Sequence, residues 1–332
     1  MEEKLPYFRQ HRFPRLGAER GAALILVLWL GTFFAIVLSS FAFSMRTELV
    51  AAKNFKNREQ AQVLAMAGVT RAIAELVNIK KVPEASLQSF RLYDSGKLPL
   101  GKGTYEVIVS DEESKISLNA AAPDTLRRLL RNNGLTDLSL RDTIVDSILD
   151  WRDTDDLHRV NGAEAEYYAT LPLSYRPRNG PFEIVEEILL VKGMTREILY
   201  GNVADAERLA SLRSENPTNR AIGPGEYLGV YPFLTVHGSG KVNLNSADLD
   251  VLVATGLTDE EARLTILRRQ EGTMKGPPFV RGKLALTTSR TYRIEAIGRV
   301  GGSPVSYRIA AAVVNDGGFQ KPRFKVIAWH EG

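Results

Sequence analysis

The sequence predicts an α+β protein: a long N-terminal helix that crosses a membrane, and an antiparallel sheet interrupted by a large α-helical insertion. No charged side chain lies between Arg20 and Arg46, and as a helix these roughly 24 residues would span about 36 Å, enough to cross a bilayer. Strand-like patterns occur on both sides of a long stretch of helical patterns. The predicted domains are 22–80 for the N-terminal helix, with 22–45 in the membrane, 81–116 and 287–332 for the sheet domain, 117–240 for the inserted helical domain, and 241–286 for a second repeat of its fold.

Composition limits the chemistry that this chain can perform. It has 332 residues, 44% of them hydrophobic, and a formal net charge of +4. Acidic and basic residues are interleaved, so no nucleic-acid-binding tract stands out. There is no cysteine, which excludes disulfides, thiolate zinc sites and a cysteine nucleophile. The four histidines are scattered and neither G-x-S-x-G nor H-E-x-x-H occurs, so we expect no enzymatic activity.

A basic segment ending in Gly21 precedes the apolar run, which begins at Ala22. The run is too long for a cleaved secretory signal, and an ordinary anchor does not explain the Gly-Ala junction. A basic leader that ends in Gly before an apolar helix resembles those of type IV pilins and type II secretion pseudopilins. The resemblance implies a prepilin-type leader over 1–21, cleavage by prepilin peptidase after Gly21, methylation of the Ala22 amine and a cytoplasmic N-terminus. Leu26 departs from the pattern, because that position is usually Glu.

The helical pattern continues beyond the membrane segment, so we expect one helix from Ala22 to Asn78. A β-rich segment follows at 103–109. Alternating apolar residues then predict a hairpin near the C-terminus, with strands at 292–300 and 305–313, and a third strand completes an antiparallel meander at 324–330.

The insertion contains an internal repeat. Leu118-Asn119-Ala120-Ala121 in the first copy corresponds to Leu244-Asn245-Ser246-Ala247 in the second, and each copy continues into a Gly-Leu-Thr-Asp turn before another helix. We expect Asn119 and Asn245 to cap the helices that follow them. The pattern indicates a helix-hairpin-helix or SAM-like module, present twice.

Such hairpins often bind DNA, so a membrane-tethered DNA-binding protein of the competence type is the alternative function. Phosphate binding by a hairpin needs backbone N–H groups and basic residues around the turn. Here acidic residues crowd both turns, which favours protein packing, although Arg127, Arg128 and Arg131 form a basic run on one helix. We expect no nucleic acid to bind.

The densest group of charges lies at 150–164, where five carboxylates occur in fifteen residues. Neighbouring carboxylates repel, at about 4 kcal/mol for a 4 Å pair at an effective dielectric of 20, so a compensating cation is expected. Arg152, His158 and Arg159 could supply it within the chain. The other candidate is Ca²⁺, which binds six to eight oxygens, although the spacing is not that of an EF-hand. The candidate ligands are Asp150, Asp153, Asp155, Asp156 and Glu164.

Six segments, in order along the chain, carry a resemblance to a known family: 21–25, 60–68, 149–156, 162–168, 187–194 and 242–247. Through them the chain resembles the general secretion pathway protein K family, the large minor pseudopilins of bacterial type II secretion systems. The resemblance implies a pilin-like α+β fold interrupted by a helical domain, calcium ligation by the acidic segment at 150–164, and assembly with minor pseudopilins I and J and other pseudopilus subunits. It also implies a single-pass inner-membrane protein with its soluble domain in the periplasm.

Leu26 adds an expectation about position in the fibre. In pilin-type fibres the usual Glu of an incoming subunit is thought to pair with the N-terminal amine of its neighbour, since an unpaired buried charge is costly. A subunit with Leu26 cannot offer that pairing, yet its own Ala22 amine can accept it. We therefore expect this subunit at the tip.

Overall fold

The computed structural model describes residues 18–78, 91–271, 279–280, 283–284, 288–317 and 321–332, with side chains from residue 23 onward in the first helix. Most of the predicted leader, residues 1–17, lies outside the described residues, as do parts of the predicted domains 22–80, 81–116, 241–286 and 287–332. The chain divides into two compact units, residues 1–59 and 60–332.

The first helix, α1, runs without interruption from Ala18 to Asn78 and confirms the predicted long helix. Among the described residues it is the one helix long and apolar enough to cross a membrane, by length and composition. Its apolar side chains between residues 23 and 45 are exposed in the isolated chain, as expected of a segment that faces lipid. This helix has the length and composition of a single-pass membrane anchor.

The strands of the described residues are β1 (Arg91–Asp94), β2 (Leu98–Leu100), β3 (Gly103–Asp111), β4 (Ile116–Ser117), β5 (Leu234–Thr235), β6 (Phe279–Val280), β7 (Lys283–Leu284), β8 (Thr291–Val300), β9 (Ser306–Asn315) and β10 (Phe324–Glu331). One antiparallel sheet has the strand order β1-β3-β8-β9-β10, with β2 also paired to β3. The predicted strand at 103–109, the hairpin and the third strand of the meander are confirmed as β3, β8, β9 and β10.

The second half of α1 packs against one face of this sheet. Its small residues Ala61, Ala65 and Ala72 are fully buried, and they let the helix backbone approach the strands closely. Gly298 of β8 lies directly beneath the helix, where a Cβ atom would meet the Ala65 nitrogen at 2.7 Å. Small side chains on both surfaces therefore fix how closely the helix and sheet approach.

The helical insertion has one hydrophobic core, to which both sequence repeats contribute. Its helices are α2 (Pro123–Asn132), α3 (Leu138–Arg152), α4 (Ala165–Ala169), α5 (Arg196–Tyr200), α6 (Ala206–Ser214), α7 (Leu249–Thr255) and α8 (Asp259–Glu271). Helices α2 and α3 belong to the first repeat and α7 and α8 to the second, and α2 packs against α7. The α+β architecture, a sheet interrupted by a helical insertion, is as predicted.

The prediction that Asn119 and Asn245 cap helices is wrong. Helix α2 begins at Pro123 after Ala122, with no side-chain cap, and α7 is capped by Asp248. The Asn119 side chain instead bonds the backbone of Phe182 through both its oxygen and its nitrogen, and its nitrogen also reaches the Val236 carbonyl. The sequence places these asparagines in turns that precede the helices, where long-range partners compete with capping.

The sheet and the insertion meet at a buried carboxylate, Asp111, at the end of β3. Its Oδ2 accepts hydrogen bonds from the side chains of Asn243 and Ser246 in the second repeat and of Ser289, two residues before β8. Its Oδ1 accepts from the Glu113 N–H at 2.8 Å. This fully buried carboxylate therefore joins the end of β3 to two segments that are distant in sequence.

The buried carboxyl of Glu113, two residues after Asp111, should make the free energy of unfolding depend on pH. Burial, with a smaller contribution from the Asp111 charge, raises the pKa of Glu113 from 4.5 to about 7, although the Arg290 N–H opposes the shift. Because the folded state holds this proton more tightly, the fold loses stability as pH rises from about 4.5 to about 7. Glu113→Gln removes this loss, so we expect the variant to be more stable than the parent at pH 8 by about 1–3 kcal/mol and equal to it near pH 4.

Urea unfolding of the full chain in detergent at pH 4, 6 and 8 would measure this difference. Asp111 titrates in both proteins, so its contribution largely cancels in the comparison. Parallel stability curves for parent and variant would contradict the prediction.

Candidate functional site

The five predicted carboxylates are presented by the end of α3 and the loop that leads to α4. Asp150 lies in the last turn of α3, and Asp153 follows the helix as its C-terminal cap residue. Asp155 and Asp156 lie in the loop, and Glu164 immediately precedes α4. Helix α3 therefore carries Asp150 into the interior, and the other four carboxylates lie between the end of α3 and the start of α4.

Asp150 and Asp153 are bridged by Arg159. Its Nη1 lies 2.6 Å from Asp150 Oδ1 and 2.6 Å from Asp153 Oδ2. Asp150 is fully buried and also accepts from the backbone N–H groups of Arg159 and Ala163. Gly162 is required here, because any Cβ atom at that position would collide with the Asp150 carboxylate. Arg159 is thus one of the compensating cations that the sequence predicts.

Glu164 has no such compensation. Its side chain is buried, and neither carboxylate oxygen has a hydrogen-bond partner among the described residues. Burial, followed by repulsion from Asp150, Asp153, Asp156 and Asp155, raises the pKa of Glu164 to about 7. Burying an unpaired carboxylate is costly, so this residue needs an additional cation or a proton.

Asn179 belongs to the same cluster and was not predicted from the sequence. Its Nδ2 donates to the Asp155 carbonyl at 3.2 Å and to Asp156 Oδ1 at 2.8 Å, while its Oδ1 is buried without a partner in the described structure. It is also the one non-glycine residue with a positive φ, 47°, among the described residues. Backbone strain of this kind concentrates at functional sites, but the sequence gives no signal of it beyond the Asn-Gly pair at 179–180.

An aromatic layer backs the acidic segment. Trp151 stacks on Phe182 with centroids 6.2 Å apart and meets Tyr168 edge-on at 5.4 Å. The Trp151 indole N–H donates to Glu187 at 3.0 Å, and Arg178 pairs with the same carboxylate. This packing holds the end of α3 against the segment that carries Asn179.

The donor set fits a hard cation such as Ca²⁺ in chemistry. Glu164 Oε1 and Oε2, Asp153 Oδ1 and Asn179 Oδ1 are buried oxygens without partners in the described residues, and Ca²⁺ binds such oxygens. No group of three or more His, Cys, Asp or Glu side chains within the described ranges converges as a formed metal site. Arg159 joins Asp150 to Asp153 directly.

The basic run on α2, which is the feature that most favours DNA binding, is engaged within the protein. Arg127 pairs with Asp124, Asp142 and Asp146. Arg128 Nε donates to the Ala254 carbonyl of α7 at 2.7 Å. Arg131 Nε donates to Asn132 Oδ1 at 3.3 Å. These contacts within the protein compete with binding of the guanidinium groups to phosphate.

Comparison with known proteins connects the insertion to one family. Residues 106–200 match the family model of type II secretion system (T2SS) protein K. The Type II secretion system protein K of Pectobacterium carotovorum subsp. carotovorum is 23% identical over 196 residues, covering 54% of this chain and 60% of that protein. A second relative, from Escherichia coli (strain K12), is 26% identical over 202 residues, covering 54% and 59%. The aligned region therefore spans about three fifths of the length of these relatives.

A solved structure shares the fold over most of the chain. It is a chain of the GspK-GspI-GspJ complex from the enterotoxigenic Escherichia coli Type 2 Secretion System, with a TM-score of 0.55 and 15% sequence identity, covering 87% of this chain and 99% of that one. The resemblance to the protein K family that the sequence indicates is confirmed by these matches.

Proposed function

We propose that this chain is a non-enzymatic minor pseudopilin at the tip of a type II secretion pseudopilus, where it helps to initiate the fibre and to support protein export across the outer membrane. The observation that carries the proposal is the match of residues 106–200 to the protein K family. The shared fold over 87% of the chain supports it. The partners would be minor pseudopilins I and J, by analogy with the complex in which the related structure was solved, together with other pseudopilus subunits.

The proposed location is the bacterial inner membrane, with α1 as the single membrane anchor, a cytoplasmic N-terminus and a periplasmic soluble domain. Prepilin peptidase would cut between Gly21 and Ala22, and the new amine would be methylated. The apolar length of α1 supports the anchor, and the basic leader supports the orientation only through its resemblance to prepilins.

Tip position predicts the outcome of one substitution. Leu26→Glu supplies the carboxylate that a shaft subunit uses to pair with its neighbour's amine, so we expect the variant to appear along the shaft while folding and membrane insertion stay intact. Gold labelling of assembled pseudopili would locate parent and variant. Leu30→Glu, one helical turn away in the same apolar segment, is the control and should not enter the shaft. Parent protein spread evenly along unmodified fibres would refute the tip proposal.

The calcium site is part of the proposal. Asp150, Asp153, Asp155, Asp156 and Glu164 would hold the ion, with Asn179 as a further oxygen donor, and the ion would lock the loop after α3. A ligand that binds only the folded state raises stability by about 2.7 kcal/mol at 100 times its Kd. We therefore expect the melting temperature of the full chain in detergent to be several degrees higher in millimolar calcium than in chelator.

Glu164→Gln is the matched test of this site, because it removes the carboxylate that lacks compensation and keeps its shape. We expect the variant to lose most of the calcium-dependent rise, and to be at least as stable as the parent in chelator. Glu75→Gln, far from the acidic segment and half exposed, should leave the rise unchanged. Identical melting of the parent in calcium and in chelator would remove calcium from the proposal and leave the pseudopilin assignment standing.

The DNA-binding alternative makes a different prediction for the same protein. Specific binding of duplex DNA would survive physiological salt, whereas binding through charge alone would be lost. The contacts of Arg127 and Arg128 within the protein favour the pseudopilin proposal.

A further inference from the structure

The internal repeat contains two equivalent turns, each held by an arginine. We define turn A as Leu118–Ala121 and turn B as Leu244–Ala247. In turn A the Ala121 N–H donates to the Ser117 carbonyl at 2.8 Å, and in turn B the Ala247 N–H donates to the Asn243 carbonyl at 2.9 Å. The two turns thus share their sequence pattern and their backbone hydrogen bonds.

Each arginine comes from the second helix of its own repeat and donates to the same two carbonyls of its turn. Arg152, at the end of α3, donates to the Leu118 and Ala121 carbonyls at 2.7 and 3.0 Å. Arg269, on α8, donates to the Leu244 and Ala247 carbonyls at 3.1 and 2.6 Å. Arg152 uses Nη1 for one carbonyl and Nη2 for the other, a planar fork that a lysine ammonium does not offer, whereas Arg269 donates to both of its carbonyls through Nη1. The sequence pattern indicates Arg152 only as a charge-compensating cation, and these contacts with turn A are not predictable from it.

The two turns differ in the hydrogen bonds that their own side chains make with other parts of the protein. Turn B faces the junction with the sheet, where Ser246 donates to Asp111. Turn A faces the acidic segment, because the Asn119 side chain accepts from the Phe182 N–H at 2.7 Å, and Phe182 lies three residues after Asn179. Turn A therefore contacts both segments that contribute oxygens to the proposed site. It binds the end of α3 through Arg152 and the segment after Asn179 through Asn119.

From this geometry we infer that Arg152 is a positioning residue for the proposed cation site. The Arg152 guanidinium holds the C-terminal end of α3, which carries Asp150 and leads into Asp153, against turn A. Turn A also binds the segment 179–182, which carries Asn179, through Asn119. The oxygens of the site come from both of these segments, so their separation depends on turn A. Arg269 makes the equivalent contacts in a repeat that carries no acidic segment, and it provides an internal control. The inference rests on the proposed calcium site.

The test compares Arg152→Met, Arg152→Lys and Arg269→Met in the full chain in detergent, using calcium titration by calorimetry. Outer-shell residues that orient metal ligands change affinity by about 10- to 100-fold when replaced. We expect Arg152→Met to weaken calcium binding at least tenfold, Arg152→Lys to weaken it less, and Arg269→Met to change it less than twofold even though it lowers the melting temperature. Unchanged affinity in both Arg152 variants, or equal losses in Arg152→Met and Arg269→Met, would overturn the inference.

Hydrogen exchange in chelator supplies a readout that does not need the metal. Arg152→Met and, more weakly, Arg152→Lys should accelerate amide exchange across residues 153–164 and 179–182, whereas Arg269→Met should accelerate exchange near turn B and leave the acidic segment protected. If the parent binds no calcium, the proposed calcium site fails, and this exchange pattern alone decides whether Arg152 positions the segment. Exchange that rises equally over the whole insertion in both methionine variants would reduce Arg152 to a general stabiliser and overturn the inference.

Discussion

Asp250→Ala is expected to lower the free energy of unfolding by about 3–5 kcal/mol, because it leaves a buried arginine without its counter-charge. The Arg220 and Asp250 side chains are 1% and 3% exposed, and they make two parallel contacts, one of them 2.8 Å between Nη2 and Oδ2. Arg220 Nε also donates to the Leu212 carbonyl at 2.8 Å. The pair joins α7 to the chain around α6, so its loss should loosen the whole insertion.

Two further variants separate the charge effect from packing. Replacing both partners together, as Arg220→Met with Asp250→Leu, removes the unpaired charge and should recover most of the loss, since apolar replacements of buried ion pairs are often neutral. Glu75→Ala breaks the exposed Arg71–Glu75 pair on α1 and should cost less than about 1 kcal/mol. Urea unfolding in detergent gives all three values. A loss below 1 kcal/mol for Asp250→Ala would show that water or the protein relaxes to solvate Arg220.

The elements that could be predicted from the sequence are those with strong local patterns. The apolar run, the alternation at 292–300 and the Gly-Gly-Ser-Pro turn at 301–304 each determine a structure within a few residues of themselves. Helix α1 and the hairpin follow from these patterns. The short strands β1, β2, β4 and β5 were not predictable, because two to four residues show no period. The pairing of β4 with β5 also depends on a distant partner, although β2 pairs with the adjacent β3.

The acidic segment shows the same division between local and long-range information. Its carboxylates are obvious in the sequence, and the need for a cation follows from charge alone. The sequence does not reveal that Arg159 bridges two of these carboxylates while Glu164 is left unpaired, since both facts depend on how the loop reverses after α3. Asn179 and Asn119 were unassigned or misassigned for the same reason: each bonds a partner that is 23 or more residues away.

Gly298→Ala is expected to cost about 3 kcal/mol, at the upper end of what overpacking usually costs. On local preference alone alanine should be the better residue in a strand interior by about 0.5–1 kcal/mol, so the predicted sign is opposite to propensity. A Cβ atom at Gly298 would collide with the Ala61 carbonyl and lie 2.7 Å from the Ala65 nitrogen and 2.9 Å from Leu64 Cβ. Two of these are backbone atoms of α1, which cannot move aside unless the helix lifts from the sheet.

The control for this prediction is Gly180→Ala, where the nearest atom to an added Cβ is 3.7 Å away and the expected change is within about 0.5 kcal/mol. Thermal and urea unfolding of the full chain in detergent would compare the two variants, and near-ultraviolet circular dichroism would report packing around Tyr105 and Tyr307, the strand residues paired with Gly298. Stability equal to that of the parent would mean that the helix and sheet do not pack at the distance described, and the interface between α1 and β8 would have to be revised.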